Sequence, residues 1–295
     1  MKKVDLNKKS WQWITLVILS IIWGTSFILM KIGLKAYTPL QIASLRMFLA
    51  FMFFIPFASK AIKKLKKKHI PYMLFISIIG NGATAFMFAL AQTSIKSSMA
   101  GMLNATTPLF TFIIGMIFYS LKTKIYKILG LFIGLIGTFA LLYFDSDISL
   151  SSNLLFPLLA IIATVFYSIN VNMVKFNLKD LDGLTISILT FIFVGPLSLI
   201  VFCFTDFTMP LESSNFYLST LSIFLLAIFS SGIALVLFNI LIKYTSTIFA
   251  STVTYLIPVV AILWGLFDGE KILILQILSV VVIIAGIYLV NASDD

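Results

Sequence analysis

Charge is what this chain has least of. Only 11% of its 295 residues are Asp, Glu, Lys or Arg. A water-soluble chain carries about a quarter. There is a single cysteine, Cys203, and a single histidine, His69. That excludes a disulfide framework and any His/Cys metal cluster; Cys203 reads as a small packing residue. All eleven acidic residues fall in loops or at the ends of apolar runs. The sequence offers no nucleophile–base pair, no phosphate loop and no buried acid/base couple, so neither an enzyme nor a bound cofactor or metal is expected. A net charge of +10 raises nucleic acid as a partner. The lysines argue against it, because they cluster at the ends of apolar runs, as membrane topology requires.

What is there is hydrophobic residue, 60% of the chain. About 20 apolar residues cross the hydrocarbon of a bilayer as a helix. Runs of that length lie near 12–34, 38–59, 71–93, 98–120, 125–144, 153–175, 184–204, 216–242, 247–267 and 272–291. The expectation is an all-α integral membrane protein with ten transmembrane helices, its partner the lipid bilayer. The first run follows "MKKVDLNKKSWQW" but is long and lacks a small-residue cleavage site, so it reads as a retained span. Placing the N-terminus in the cytoplasm puts 16 lysines inside and only Lys35, Lys96 and Lys271 outside, with Lys31 and Arg46 within spans. Both termini are therefore expected in the cytoplasm of a multi-pass cell-membrane protein. The run "KAIKKLKKKH" also suits anionic lipid, but topology alone accounts for it.

The two halves match. At an offset of 150, residues 71–116 overlie 221–266 without a gap. Ile78, Gly82, Phe88, Ala100, Pro108 and Gly115 meet Ile228, Gly232, Phe238, Ala250, Pro258 and Gly265. An offset of 149 sets Lys122 on Lys271 and Gly137 on Gly286; an offset of 144 sets Trp23 on Tyr167 and Lys31 on Lys175. Two five-helix repeats follow, 12–144 and 153–291. Five is odd, so the second enters the membrane inverted. Inverted repeats are typical of transporters, with the substrate near the midplane between them.

The stretches "WGTSFILMKIGL", "LRMFLAF", the Ala…Pro runs of the fourth and ninth segments, "DGEK" and the glycine-rich fifth and tenth segments make the chain resemble the EamA-type branch of the drug/metabolite transporter superfamily. The resemblance covers nearly the whole chain. It implies ten helices in two inverted halves and movement of amino acids and related small metabolites, often outward. One position departs: Glu270 is present, but the equivalent place in the first half holds Leu121.

Counting along each run gives the midplane residues. They are Trp23, Asn81, Thr107 with Pro108, Ser230 with Ser231, and Pro258. Ser77, Asn81, Thr84, Phe88 and Gln92 form one helical stripe; Ser97, Asn104, Thr107 and Thr111 form another. Such stripes face either a neighbouring helix or a water-filled cavity. Trp23, Tyr167 and Tyr255 are aromatic candidates for a pocket wall, and Asn170 lies one turn beyond Tyr167. Arg46 lies about 10 Å inside its span and needs a partner, either helix-end carbonyls or a solute carboxylate. Pro108 and Pro258 free carbonyls near Asn104 and Thr254 and set candidate kinks. Gly130, Gly134 and Gly137 permit close helix contact, within the bundle rather than across a homodimer. Candidate substrate contacts are therefore Trp23, Arg46, Asn81, Asn104, Thr107, Tyr167, Asn170, Ser231 and Tyr255.

With no carboxylate inside a run, a proton-coupled carrier of cationic drugs is not expected. Facilitated movement or exchange of neutral or zwitterionic solutes by alternating access fits better. A channel or lipid flippase on the same scaffold, or a non-transporting membrane partner, remains the alternative.

Overall fold

The structure is a computed structural model, and it describes residues 6–95, 97–143, 154–206, 208–267 and 273–292. Glu270 and Lys271 of the "DGEK" stretch lie outside them, as does Lys96. The described residues are all helix and connecting turn. Six helices are long and apolar enough to cross a membrane: α1 (Lys9–Gly33), α2 (Pro39–Ile62), α3 (Lys67–Ala91), α7 (Leu155–Phe176), α8 (Gly183–Cys203) and α9 (Phe216–Tyr244). Shorter apolar helices fill the other expected segments. These are α4 (Ser97–Asn104), α5 (Thr107–Tyr119), α6 (Ile125–Tyr143), α10 (Thr247–Ser251), α11 (Val253–Phe267) and α12 (Ile274–Ala292).

Local chemistry sets several helix ends. Thr38 opens α2 with a capping box: its hydroxyl accepts from the Gln41 N–H, and the Gln41 side chain accepts from the Thr38 N–H. Asp182 caps α8 by accepting from the Thr185 N–H at 2.9 Å. The segments expected at 98–120 and 247–267 are each split in two. In the first, Pro108 lacks the N–H that would serve Asn104. The chain restarts at Thr107, and the Thr107 hydroxyl donates to the Asn104 carbonyl at 2.5 Å. In the second the break falls earlier, at Thr252, whose hydroxyl donates back to Phe249 O at 2.6 Å. Pro258 stays inside α11.

The faces of the helices sort by solvent. On α1, Ile14, Val17, Ile18 and Ile21 recur at helical spacing and are 43–51% exposed, while Leu16 and Leu19 are fully buried. On α6, Leu129, Phe132, Ile136 and Phe139 repeat the pattern. Such continuous apolar surface has water as a poor solvent and lipid as a good one.

Packing pairs α2 with α8, α6 with α12, α1 with α11, and α5 with α7. Glycines let α6 and α12 approach closely. A Cβ on Gly130 would stand 2.7 Å from the Gly286 carbonyl, and one on Gly137 2.9 Å from the Ile283 amide. The expected role of these glycines, contact inside the bundle, is the arrangement found.

Candidate functional site

Two long helices loosen at the same depth. Phe75–Ala83 of α3 and Leu226–Ile233 of α9 wind as π-helix. Their ends, Ala83 and Ile233, are the residues that the 150-residue offset superimposes. A π-turn widens the ladder and displaces carbonyls from their usual partners, and such turns gather at functional sites. Here side chains serve the displaced groups. Asn81 Nδ2 donates to Ile76 O at 2.7 Å, and Thr84 Oγ1 donates to Gly80 O at 2.9 Å. In the other copy the Trp23 indole N–H donates to Ser230 O at 3.1 Å.

Between these segments lies a cavity of about 120 Å³. Helix α1 lines it with Trp23, Ser26, Phe27 and Met30, and α3 with Asn81, Thr84, Ala85 and Phe88. Both sets follow the i, i+3, i+4, i+7 spacing of one helix face. Arg46 and Met47 come from α2, Asn104 from α4, Tyr167 from α7 and Phe191 from α8. Ser230, Ser231 and Leu235 of α9 and Thr254 and Ile257 of α11 complete it. An aromatic group forms one wall. Trp23 meets Tyr167 edge-on at 6.0 Å and Phe238 at 4.9 Å, and Tyr167 stacks on Phe238 at 5.6 Å. The Tyr167 hydroxyl is buried with no hydrogen-bond partner among the described residues.

Among the described residues Arg46 is the one charged side chain lining the cavity. Its Nε donates to Ser231 Oγ at 2.5 Å and its Nη2 to Ser230 Oγ at 3.0 Å. No helix-end carbonyl accepts from it among the described residues. The π-segment of α9 supplies two hydroxyls instead.

Of the candidate residues, Trp23, Arg46, Asn81, Asn104, Tyr167 and Ser231 meet at this cavity. Three do not. Thr107 is fully buried at the α5–α7 joint, where its carbonyl accepts from Ser168 Oγ at 3.1 Å. Asn170 packs on Gly80, about 3 Å from where a Cβ would be. Tyr255 turns away, donating its hydroxyl to Leu131 O of α6 at 2.8 Å over the slot left by Gly134. Pro108 and Pro258 lie outside the lining, although Thr254, whose carbonyl Pro258 cannot serve, is part of it. The stripes are partly structural too. Gln92 Nε2 ties Phe27 O to Ser97 Oγ, and Asn172 Nδ2 donates to Thr111 O. Ser26 and Met30 were legible from their spacing to Trp23. Met47 and Phe191 carried no signal distinguishing them from other core residues.

The cavity leans to one end of the bundle. Its lining runs from Trp23 towards the α1 C-terminus and from Asn81 towards the α3 C-terminus. At the other end lysines tie α7 to α9. Lys175 Nζ donates to the carbonyls of Ile242, Lys243 and Thr245 at the end of α9, and Lys243 Nζ donates to Val174 O and Leu178 O at the end of α7. Each lysine thus caps the other's helix, where the dipole favours a cation. Beside them, buried His69 bonds Asp180 at 3.0 Å, and its Nδ1 accepts from the Lys66 N–H, so the ring proton sits on Nε2. Lys68 also pairs with Asp180, and Lys64 with Asp182. The Lys68 hydrogen bond holds Asp180 well below the usual carboxylate range, against some desolvation and with help from His69. Desolvation pushes Asp182 up, but the bonds from Lys64 and Thr185 outweigh it, leaving its pKa at about 2.

Comparison with known proteins adds identity to this geometry. The chain is 24% identical over 279 residues to YoaV of Bacillus subtilis, named an uncharacterised transporter, covering 93% of this chain and 94% of that one. It is 27% identical over 285 residues to YedA of Escherichia coli K12, named an uncharacterised inner membrane transporter, covering 92% and 88%. A crystal structure at 16% identity superposes with a TM-score of 0.75 over 97% of this chain and 98% of the other, which speaks for the fold alone. The EamA-like transporter family matches twice, over residues 10–143 and 154–292. Together with the six long apolar helices, this makes the chain a multi-pass membrane protein that belongs to the EamA-like transporter family.

Proposed function

We propose that the protein is a secondary carrier that moves small metabolites, amino acids or related zwitterions, across the cytoplasmic membrane by alternating access. The observation that carries this reading is the cavity between two π-wound segments, one from each family-matched half, leaning to one end while lysine cross-caps tie α7 to α9 at the other. A site between two halves, nearer one end, suits a carrier facing one side.

In this reading the chain forms ten spans as two inverted five-helix repeats, 12–144 and 153–291. The packing supports it. Repeat mates pack on each other in α2–α8 and α6–α12, and α1–α11 mirrors α7–α5. We place both termini in the cytoplasm from the lysine bias, so the cavity leans outward and the Lys175–Lys243 cross-caps lie inside. Export is assigned from the family resemblance. Trp23, Asn81, Asn104, Tyr167, Ser231 and Arg46 are the proposed solute contacts. Among the described residues no carboxylate lines the cavity, which favours facilitated movement or exchange over proton coupling.

The test is counterflow of labelled alanine into proteoliposomes. Trp23→Ala and Asn81→Ala should each cut initial uptake about tenfold, the loss of roughly one polar or ring contact. Wild-type rates in both folded variants would remove the cavity from the transport path.

A further inference from the structure

The charge in the cavity is all of one sign among the described residues, and it comes with unspent donors. Arg46 has five N–H donors, of which two are engaged, by Ser231 and Ser230. Those serine oxygens are acceptors in these bonds, so both hydroxyl protons are left to donate. No acceptor for them is found among the described residues. The Tyr167 hydroxyl is buried with no partner among the described residues. The Asn104 amide accepts from the Thr107 hydroxyl at 3.3 Å and keeps its Nδ2 donors. These groups are linked in space: Trp23 touches Tyr167 and bonds Ser230 O, and Ser230 bonds Arg46. No Asp or Glu faces them among the described residues. Serine hydroxyls do not neutralise a guanidinium, and Arg46 is only partly exposed, so its charge is incompletely hydrated. A pocket with one positive charge, surrounded by free donors, is complementary to one negative charge.

We propose that Arg46, Ser230 and Ser231 form an anion subsite for the carboxylate of a small monocarboxylic solute, and that this carboxylate, not an amino group, is what the cavity recognises. This rests on the carrier reading and sharpens its substrate class. The planar guanidinium fork matches a carboxylate in bidentate geometry. A single positive charge balances a monoanion and leaves a dianion in excess. The volume, about 120 Å³, approaches the ~150 Å³ that holds benzene, so a solute of about six non-hydrogen atoms fits. An ammonium would meet the amide oxygen of Asn81, the Thr254 carbonyl and the Trp23–Tyr167 wall, uncharged groups that bind a cation weakly. A zwitterion and its deaminated analogue should therefore bind alike.

Calorimetric titration of the purified full-length protein with propionate, alanine, propionamide and propylamine tests this. Propionate and alanine should bind within a fewfold of each other, and the amide and amine should not bind. Arg46→Gln should weaken propionate roughly 10- to 150-fold, and the milder Ser231→Ala roughly 2- to 12-fold. Arg46→Lys, which keeps the charge but loses the fork, should lie between wild type and Arg46→Gln. Propionamide, propylamine or inorganic phosphate binding as well as propionate would overturn the proposal. So would no binding by any of the four, or wild-type affinity in both Arg46→Gln and Ser231→Ala. Alanine counterflow with the same protein separates the two failures. Flux competed equally by propionamide and propionate sinks the subsite and leaves the carrier. Propionate binding without flux of any solute sinks the carrier and leaves the subsite.

Discussion

Replacing Gly130 by Ala adds one methyl at a close helix contact in the bundle's α6–α12 pair. That Cβ would sit 2.7 Å from the Gly286 carbonyl, 2.9 Å from Val290 Cγ2 and 3.0 Å from the Val290 amide, where ordinary contact begins at 3.4 Å. Two of the three obstacles are backbone, so no rotamer change relieves them. The helices must part by about 0.7 Å, and a gap of that size forfeits a quarter to a half of each dispersion contact across the seam. Overpacking of this kind costs about 1–3 kcal/mol. Helix propensity acts the other way, by up to about 1 kcal/mol for Gly to Ala. Gly101 supplies the control: its Cβ would meet only Ile257 and Pro258 side-chain atoms, at 3.8 and 3.9 Å. Thermal unfolding in detergent should show Gly130→Ala clearly less stable than wild type and Gly101→Ala equal or slightly more stable. Equal melting temperatures for the two variants would refute the packing argument. A Gly130→Ala protein that keeps its melting temperature but changes its oligomeric state would instead put the glycines on a dimer face.

Tyr255→Phe removes the hydroxyl that donates to Leu131 O. It should cost about 1 kcal/mol of stability and leave alanine flux unchanged; a flux loss without a stability loss would return Tyr255 to the cavity. Asp182 titrates at about 2 in the folded protein, below its ordinary 3.8. A depressed carboxylate stabilises above its unfolded pKa, and that contribution disappears as pH falls through about 2. The melting-temperature gap between wild type and Asp182→Asn should therefore be widest above pH 4 and narrow towards pH 2.5; a gap independent of pH would assign Asp182 no such role.

The apolar runs were legible because lipid imposes one demand on every span, and counting along them singled out Trp23, Asn81 and Ser231, which line one cavity. Counting gives depth along a helix but not the direction a side chain points. Thr107, Asn170 and Tyr255 sit at plausible depths, yet each faces a neighbouring helix, because Ser168, Gly80 and Gly134 offer a partner or a slot there. The two prolines looked equivalent in sequence. Pro108 begins a helix, whereas Pro258 lies within one, since the Thr252 hydroxyl stabilises the break a turn and a half earlier. The π-segments left no trace in the pattern, because one widened turn shifts the register without changing which residue types are apolar. They explain how Ser230 and Ser231 both come to face Arg46. Lys175 and Lys243 read as topology signals, and their reciprocal helix caps become visible only once α7 and α9 lie side by side.

The central claim is that this cavity carries a solute across the bilayer, and counterflow by the wild-type protein tests it most directly. Vesicles holding purified protein are loaded with unlabelled amino acids, and uptake of trace labelled alanine is followed with and without a pH gradient. The account predicts saturable uptake without a gradient, competed by unlabelled solute outside. Uptake that requires the gradient would contradict the facilitative mechanism. Unsaturable flux, or no flux of any amino acid or monocarboxylate, would contradict the carrier itself.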